Sequence, residues 1–214
     1  MTSVRELNKQ RTRAAIADTA TRLFLVRGFD KVTIAEVAAA AGVAKMTVTN
    51  YFPRKEDLVF DLAEELISGP ADTVAARPAG ESALHALRRA CLEGLERREP
   101  ALGFAGPEFA RMVRESPALT ARLREIHEQR ESALAAVLAE TAGVDPGADD
   151  ADLTPRIAAA QLDTVRRIVL GEALRRNAAG EDPERIAREL SRCAASGFDL
   201  LEPALGDYAV RTAE

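Results

Sequence analysis

The chain has 214 residues, is 47% hydrophobic but only 4% aromatic, and carries a net charge of −5. That is room for one large or two small domains. Abundant Ala, Leu, Arg and Glu with few β-branched runs favour an all-α fold over sheet or disorder. Cys91 and Cys193 fit no ligand spacing and are read as reduced thiols. No apolar run reaches the roughly 18 residues of a membrane span, and MTSVRELNKQRTRAA lacks the apolar block of a signal peptide, so a cytoplasmic chain without membrane contact is expected.

The charge is unevenly spread. Residues 1–60 hold ten Lys and Arg against six Asp and Glu, whereas residues 61–214 hold nineteen against twenty-eight. All four lysines lie before residue 56. A basic segment on an acidic body suggests a polyanionic partner for that segment alone. It also suggests a division into residues 1–60 and 61–214.

In chain order, Ile16, Ala20, Leu23 and Phe24 form one apolar stripe over Arg11–Arg27, and Gly28 stops that helix. Thr33-Ile-Ala-Glu36 has the form of a capping box, opening a short helix that Gly42 ends. A second short helix follows almost at once, with Val48 and Phe52 as its buried pair and Pro53 closing it. Lys55 is expected to open a longer helix through Leu58, Val59, Leu62 and Leu66, with Pro70 and Pro78 marking a connection. Helices over about 81–98, 103–115 and 118–142 come next, then a loop from Val144 to Leu153, rich in Pro, Gly and Asp. Two long helices, about 154–178 and 183–204, finish the chain.

Two short helices joined at a Gly and backed by a longer one make a helix-turn-helix, whose second helix enters the DNA major groove. The stretch AKMTVTNYFPRK, Ala44 to Lys55, then has a physical reason for its composition. One side carries amines, hydroxyls and a phenol for phosphates and base edges, and the other keeps Val48 and Phe52 for packing.

From Thr33-Ile-Ala-Glu-Val-Ala through Gly42-Val-Ala-Lys-Met-Thr-Val-Thr-Asn-Tyr-Phe-Pro-Arg-Lys-Glu-Asp-Leu58 the sequence resembles the TetR family of bacterial transcriptional regulators. The match is close over about residues 8–62. The resemblance implies a three-helix DNA-binding head and a larger helical body that binds a small-molecule effector. It further implies a homodimer joined through the last two helices and a repressor that the effector releases from double-stranded operator DNA. It places Lys45, Met46 and Thr49 at base edges and Thr33, Thr47, Tyr51 and Lys55 at phosphates. Three positions depart from the family pattern: Ala44 where a capping Ser or Thr is common, Met46 where Gly is common, and Thr49 where an aromatic is common. A Met at the reading face favours apolar contact, for instance with a thymine methyl.

For the dimer, Leu162, Val165 and Val169 on one helix and Leu190, Cys193 and Gly197 on the other recur at helical spacing and supply the expected interface. For the effector, helical spacing assembles an apolar wall of Cys91, Phe104, Phe109 and Met112, with His85, Arg88, His127 and Gln161 as polar anchors. No cofactor, catalytic group or metal site is expected. The two histidines lie in no recognisable motif, and a helical enzyme built on His85, Cys91 and His127 has no local spacing to support it. An architectural DNA-binding protein without a ligand is the other alternative, and about 150 residues beyond the head are more than dimerisation requires.

Overall fold

The computed structural model describes residues 4–144 and 152–212. Nine α-helices make up its regular structure, with no strand among the described residues. They are α1 (Val4–Arg27), α2 (Ile34–Ala40), α3 (Lys45–Tyr51), α4 (Ala63–Ala75), α5 (Ala83–Glu96), α6 (Pro107–Glu115), α7 (Pro117–Ala142), α8 (Thr154–Ala178) and α9 (Pro183–Leu205). Of the loop expected over Val144–Leu153, residues 145–151 lie outside the described residues. No helix among those described is long and apolar enough to cross a membrane.

The chain divides into two compact units. The first runs to Glu64 and adds Met112–Arg122, the end of α6 and the start of α7. The second comprises Glu65–Arg111 and the chain from Leu123 onward.

In the first unit α1, α2 and α3 close over Ile16, Ala20, Phe24, Val37, Val48 and Phe52, all at most 1% exposed. The capping box forms as the sequence indicates. Glu36 N donates to Thr33 Oγ1 at 3.2 Å and Thr33 N donates to Glu36 Oε2 at 2.8 Å. After α2 the chain reverses at Gly42, whose φ of +67° is a left-handed conformation that glycine adopts without strain. Val43 N returns to Ala38 O at 3.0 Å and so satisfies a carbonyl of the helix end.

The continuous helix expected from Lys55 is instead a 3₁₀ turn, Glu56–Leu58, followed by α4 from Ala63. Leu58, Val59 and Phe60 are all buried. Three successive side chains of an α-helix point about 100° apart and cannot all face one core, so the chain turns tightly here. The connection expected at Pro70 is also absent, because Pro70 sits inside α4. The ring removes one backbone bond at a typical cost of about 3 kcal/mol. Burial of Ala71 and Val74 in the same turn holds the helix together across it.

The second unit packs α5, α8 and α9 around one core, with Leu84, Leu95, Leu134, Leu138, Ile186 and Phe198 nearly inaccessible. A 3₁₀ turn, Pro100–Leu102, lies tight against α8. A Cβ on Gly103 would stand 2.9 Å from Ala173 Cβ and 3.1 Å from Leu174 N, so only glycine fits. Asn177 fixes the same turn by donating from Nδ2 to Gly103 O at 3.0 Å. The C-terminal segment returns to α4 and α5. Arg77 donates to Ala209 O at 2.7 Å, and Arg211 donates to Arg77 O at 2.6 Å.

Candidate nucleic-acid interface

The helix α3 is anchored by its inner side. Val48 and Phe52 are fully buried, and Thr47, Tyr51 and Lys55 are half-buried beside them. Lys45 and Met46 are exposed and Thr49 is half-buried, one turn further along the same helix. Met46 is 70% exposed, too much for a packing residue of its size. Thr49 Oγ1 donates back to Met46 O at 3.1 Å and lies 3.7 Å from Met46 Sδ. As the sequence indicates, Ala44 at the N-cap of α3 offers no side-chain bond.

Two cations that could be taken for free surface charge instead position this helix. Arg13 lies on the buried stripe of α1. Its guanidinium donates to Tyr51 O at 2.9 Å and to Asp61 O at 2.8 Å, and stands 4.5 Å from the centroid of the Phe52 ring. Lys55 Nζ donates to Phe29 O at 2.6 Å and lies 4.2 Å from the Phe29 ring centroid. Burial pushes the Lys55 ammonium below the ordinary lysine value, against the pull of Asp30. One of its three N–H donors is thus committed within the unit. Sequence reasoning missed Arg13, although a cation recurring on an apolar stripe is the signal that could have found it.

Thr33 is likewise occupied. Besides capping α2, its hydroxyl donates to Glu36 Oε2 at 2.8 Å, and Arg27 meets Glu36 Oε1 at 2.6 Å. The Thr33 amide and then the Arg27 guanidinium hold the Glu36 carboxyl at about 2, below the usual carboxylate range.

The expected pocket residues do not all converge. His85 Nε2 contacts Glu202 Oε1 at 3.0 Å and Arg88 pairs with Asp199 at 2.7 Å, so both lie along the α5–α9 edge. Gln161 is exposed on the outer side of α8. Cys91 is buried in the core, where Phe104 packs against it partly covered. Phe109 is half-buried and falls in the second unit, whereas Met112 falls in the first. Only His127 faces inward among charges, near Arg130 and Asp163. No group of three or more His, Cys, Asp or Glu side chains among the described residues could hold a metal ion.

The residues expected at a dimer interface do come together. Val165, Val169, Leu190, Cys193 and Gly197 line an open groove of about 1010 Å³ between α8 and α9, flanked by Ile168 and Leu200, which are 60% and 82% exposed. Leu162 sits beneath it in the core.

Residues 16–62 match the family model for bacterial regulatory proteins of the tetR family. The chain is 30% identical over 207 residues to the HTH-type transcriptional regulator TcmR of Streptomyces glaucescens, covering 94% of this chain and 88% of that protein. Among solved structures, native NalD, the secondary repressor of the MexAB-OprM multidrug efflux pump in Pseudomonas aeruginosa, aligns with a TM-score of 0.56 at 21% identity, over 89% of this chain and 96% of that one. A SmeT–triclosan complex aligns with a TM-score of 0.56 at 19% identity, over 95% and 96%. With its three-helix head, its exposed α3 and a relative matched along nearly its whole length, the chain belongs to the tetR family of DNA-binding transcriptional regulators.

Proposed function

We propose that this regulator is a homodimeric repressor that docks α3 of each head in successive major grooves of operator DNA and is released by a small molecule bound in the second unit. The observation that carries the reading is α3 itself. Its apolar side is sealed, it is held at its C-terminal end by Arg13, and it exposes Lys45 and Met46 with the half-buried Thr49 beside them. Those three reach base edges, while Thr47, Tyr51 and the remaining donors of Lys55 meet phosphates. Thr33 joins them if its hydroxyl exchanges Glu36 for a phosphate oxygen. The apolar groove of α8 and α9 supports the dimer, because a monomer would leave that patch in water. Such a regulator works on DNA in the cytoplasm. NalD is a repressor and SmeT was solved with triclosan, which is consistent with repression and small-molecule release.

The test is binding of the purified protein to DNA from its own upstream region, compared with random duplex, across a salt series. A specific complex two protomers in size, weakened steeply by salt, is the expected result. Equal affinity for both DNAs at every salt concentration would leave an architectural role instead.

A further inference from the structure

The second unit contains a charged interior that neither DNA binding nor dimerisation uses. Arg130 on α7 meets Asp163 on α8 through two bonds, Nε to Oδ1 at 2.6 Å and Nη2 to Oδ2 at 2.9 Å, both residues being almost inaccessible. The two helices run antiparallel, since Ala135 and Ala139 share a cleft with Pro155 and Arg156. One turn back along α7 from Arg130 is therefore level with one turn forward along α8 from Asp163. Those positions are His127 and Arg166.

Both end in unanswered polar atoms. Arg166 Nε and His127 Nδ1 are buried and have no hydrogen-bond partner. Taken as whole residues, both are half-buried rather than sealed in the core. The charged neighbours of this pair are Arg130, Arg167, Asp163 and Glu99, with the Cys91 thiol adjoining from α5. Asp163 is already taken by Arg130, which leaves the Arg166 charge without a counter-ion at contact distance. Arginine does not escape such a position by losing its proton. Burial and the charge of Arg130 lower the affinity of His127 for a proton to about 4, so its imidazole is neutral.

A half-buried cation with no counter-ion in contact and a sealed, unpaired Nε is costly, and the unpaired Nδ1 of His127 beside it adds to the cost. An anion placed between them would relieve both. On the reading that the second unit holds an effector, we infer that the effector is acidic: an apolar molecule carrying a carboxylate or a comparably acidic oxyanion, received by the Arg166 guanidinium and by Nδ1–H of His127. Arg88, the arginine among the polar anchors expected from the sequence, is turned to Asp199 instead.

The experiment uses two fluorescent probes of similar ring size, the anionic 1-anilinonaphthalene-8-sulfonate and the neutral N-phenyl-1-naphthylamine, titrated into the full-length protein. The anionic probe should bind at least about tenfold more weakly to Arg166→Met, as loss of a charge-assisted contact implies, with the neutral probe unchanged. Arg166→Lys, which keeps the charge but loses the fork, should fall between and serves if Arg166→Met does not fold. Ligand-free Arg166→Met should also melt higher than the native chain, because an uncompensated charge has gone. Anionic binding that ignores both substitutions overturns the inference. Neutral-probe binding without a preference for the anion overturns it while leaving an effector site standing. Binding of neither probe removes the effector site as well.

Discussion

Arg122 Nε donates to Asp57 Oδ1 at 2.8 Å, with both side chains largely covered. The pair ties the first turns of α7 to the turn that follows α3, inside the first unit. Asp57 uses its other oxygen to accept from Arg54 N at 3.1 Å. The helix α7 itself continues into the second unit. A double-mutant cycle on Asp57→Asn and Arg122→Gln should show a coupling above about 0.5 kcal/mol in thermal unfolding. The double variant should also show a smaller effect of any small molecule that lowers DNA affinity in the native chain. Additive changes in stability would mean that the two residues are independent.

The reading face and the docking residues should separate in DNA binding. Lys45→Ala or Thr49→Ala should relax preference at one or two base pairs, each costing about 1–3 kcal/mol against the preferred operator. Lys55→Ala should weaken binding to all sequences alike, and Arg13→Met should do the same by freeing the end of α3. Competition binding with a randomised duplex library distinguishes these patterns. A sequence-selective effect of Lys55→Ala would contradict the docking proposed.

Leu200 is 82% exposed at the edge of the groove. Leu200→Glu therefore adds a charge that a monomer tolerates but a dimer buries. Sedimentation should find a monomer with unchanged far-ultraviolet circular dichroism, and operator affinity should fall with it. A dimer that persists at micromolar concentration would place the interface elsewhere.

Acid should affect the two units through different groups. In the first, Glu36 drops from the model-peptide value of 4.5 to about 2. Its contribution is whole above pH 4.5 and is lost as pH falls towards 2, because the unfolded chain takes up the proton first. In the second, His127 falls from 6.5 to about 4, chiefly through burial. That contribution is whole above pH 6.5 and declines as pH falls to 4, where the unfolded chain again binds the proton more readily. Melting curves across pH should lose the upper slope in His127→Phe and the lower one in Glu36→Gln. Native-like slopes in both variants would remove these groups as the source.

Features fixed by near neighbours in sequence were legible before the structure. The Thr33–Glu36 box spans three residues, and the stripe of α1 repeats within one helix. Pro70 was misread because the rule that proline breaks helices is a local one, and the burial that overrides it is tertiary. The direction of His85 and Arg88 turned on which side of α5 faces α9, which periodicity leaves open. The Arg130–Asp163 pair lies 33 residues apart in the chain. Nothing in α7 alone shows that Arg130 points inward, nor in α8 alone that Asp163 does.

Met46 is 70% exposed on the proposed reading face, with its sulfur 3.7 Å from Thr49 Oγ1. The thioether of so exposed a methionine is open to oxidation, which turns a flexible apolar group into a polar sulfoxide. If Met46 meets a thymine methyl, peroxide would alter which operators the protein prefers while leaving its grip on random DNA almost intact. Met46→Leu should keep the preference and lose the sensitivity. A preference that survives peroxide unchanged in the native chain would show that the sulfur does not face the bases.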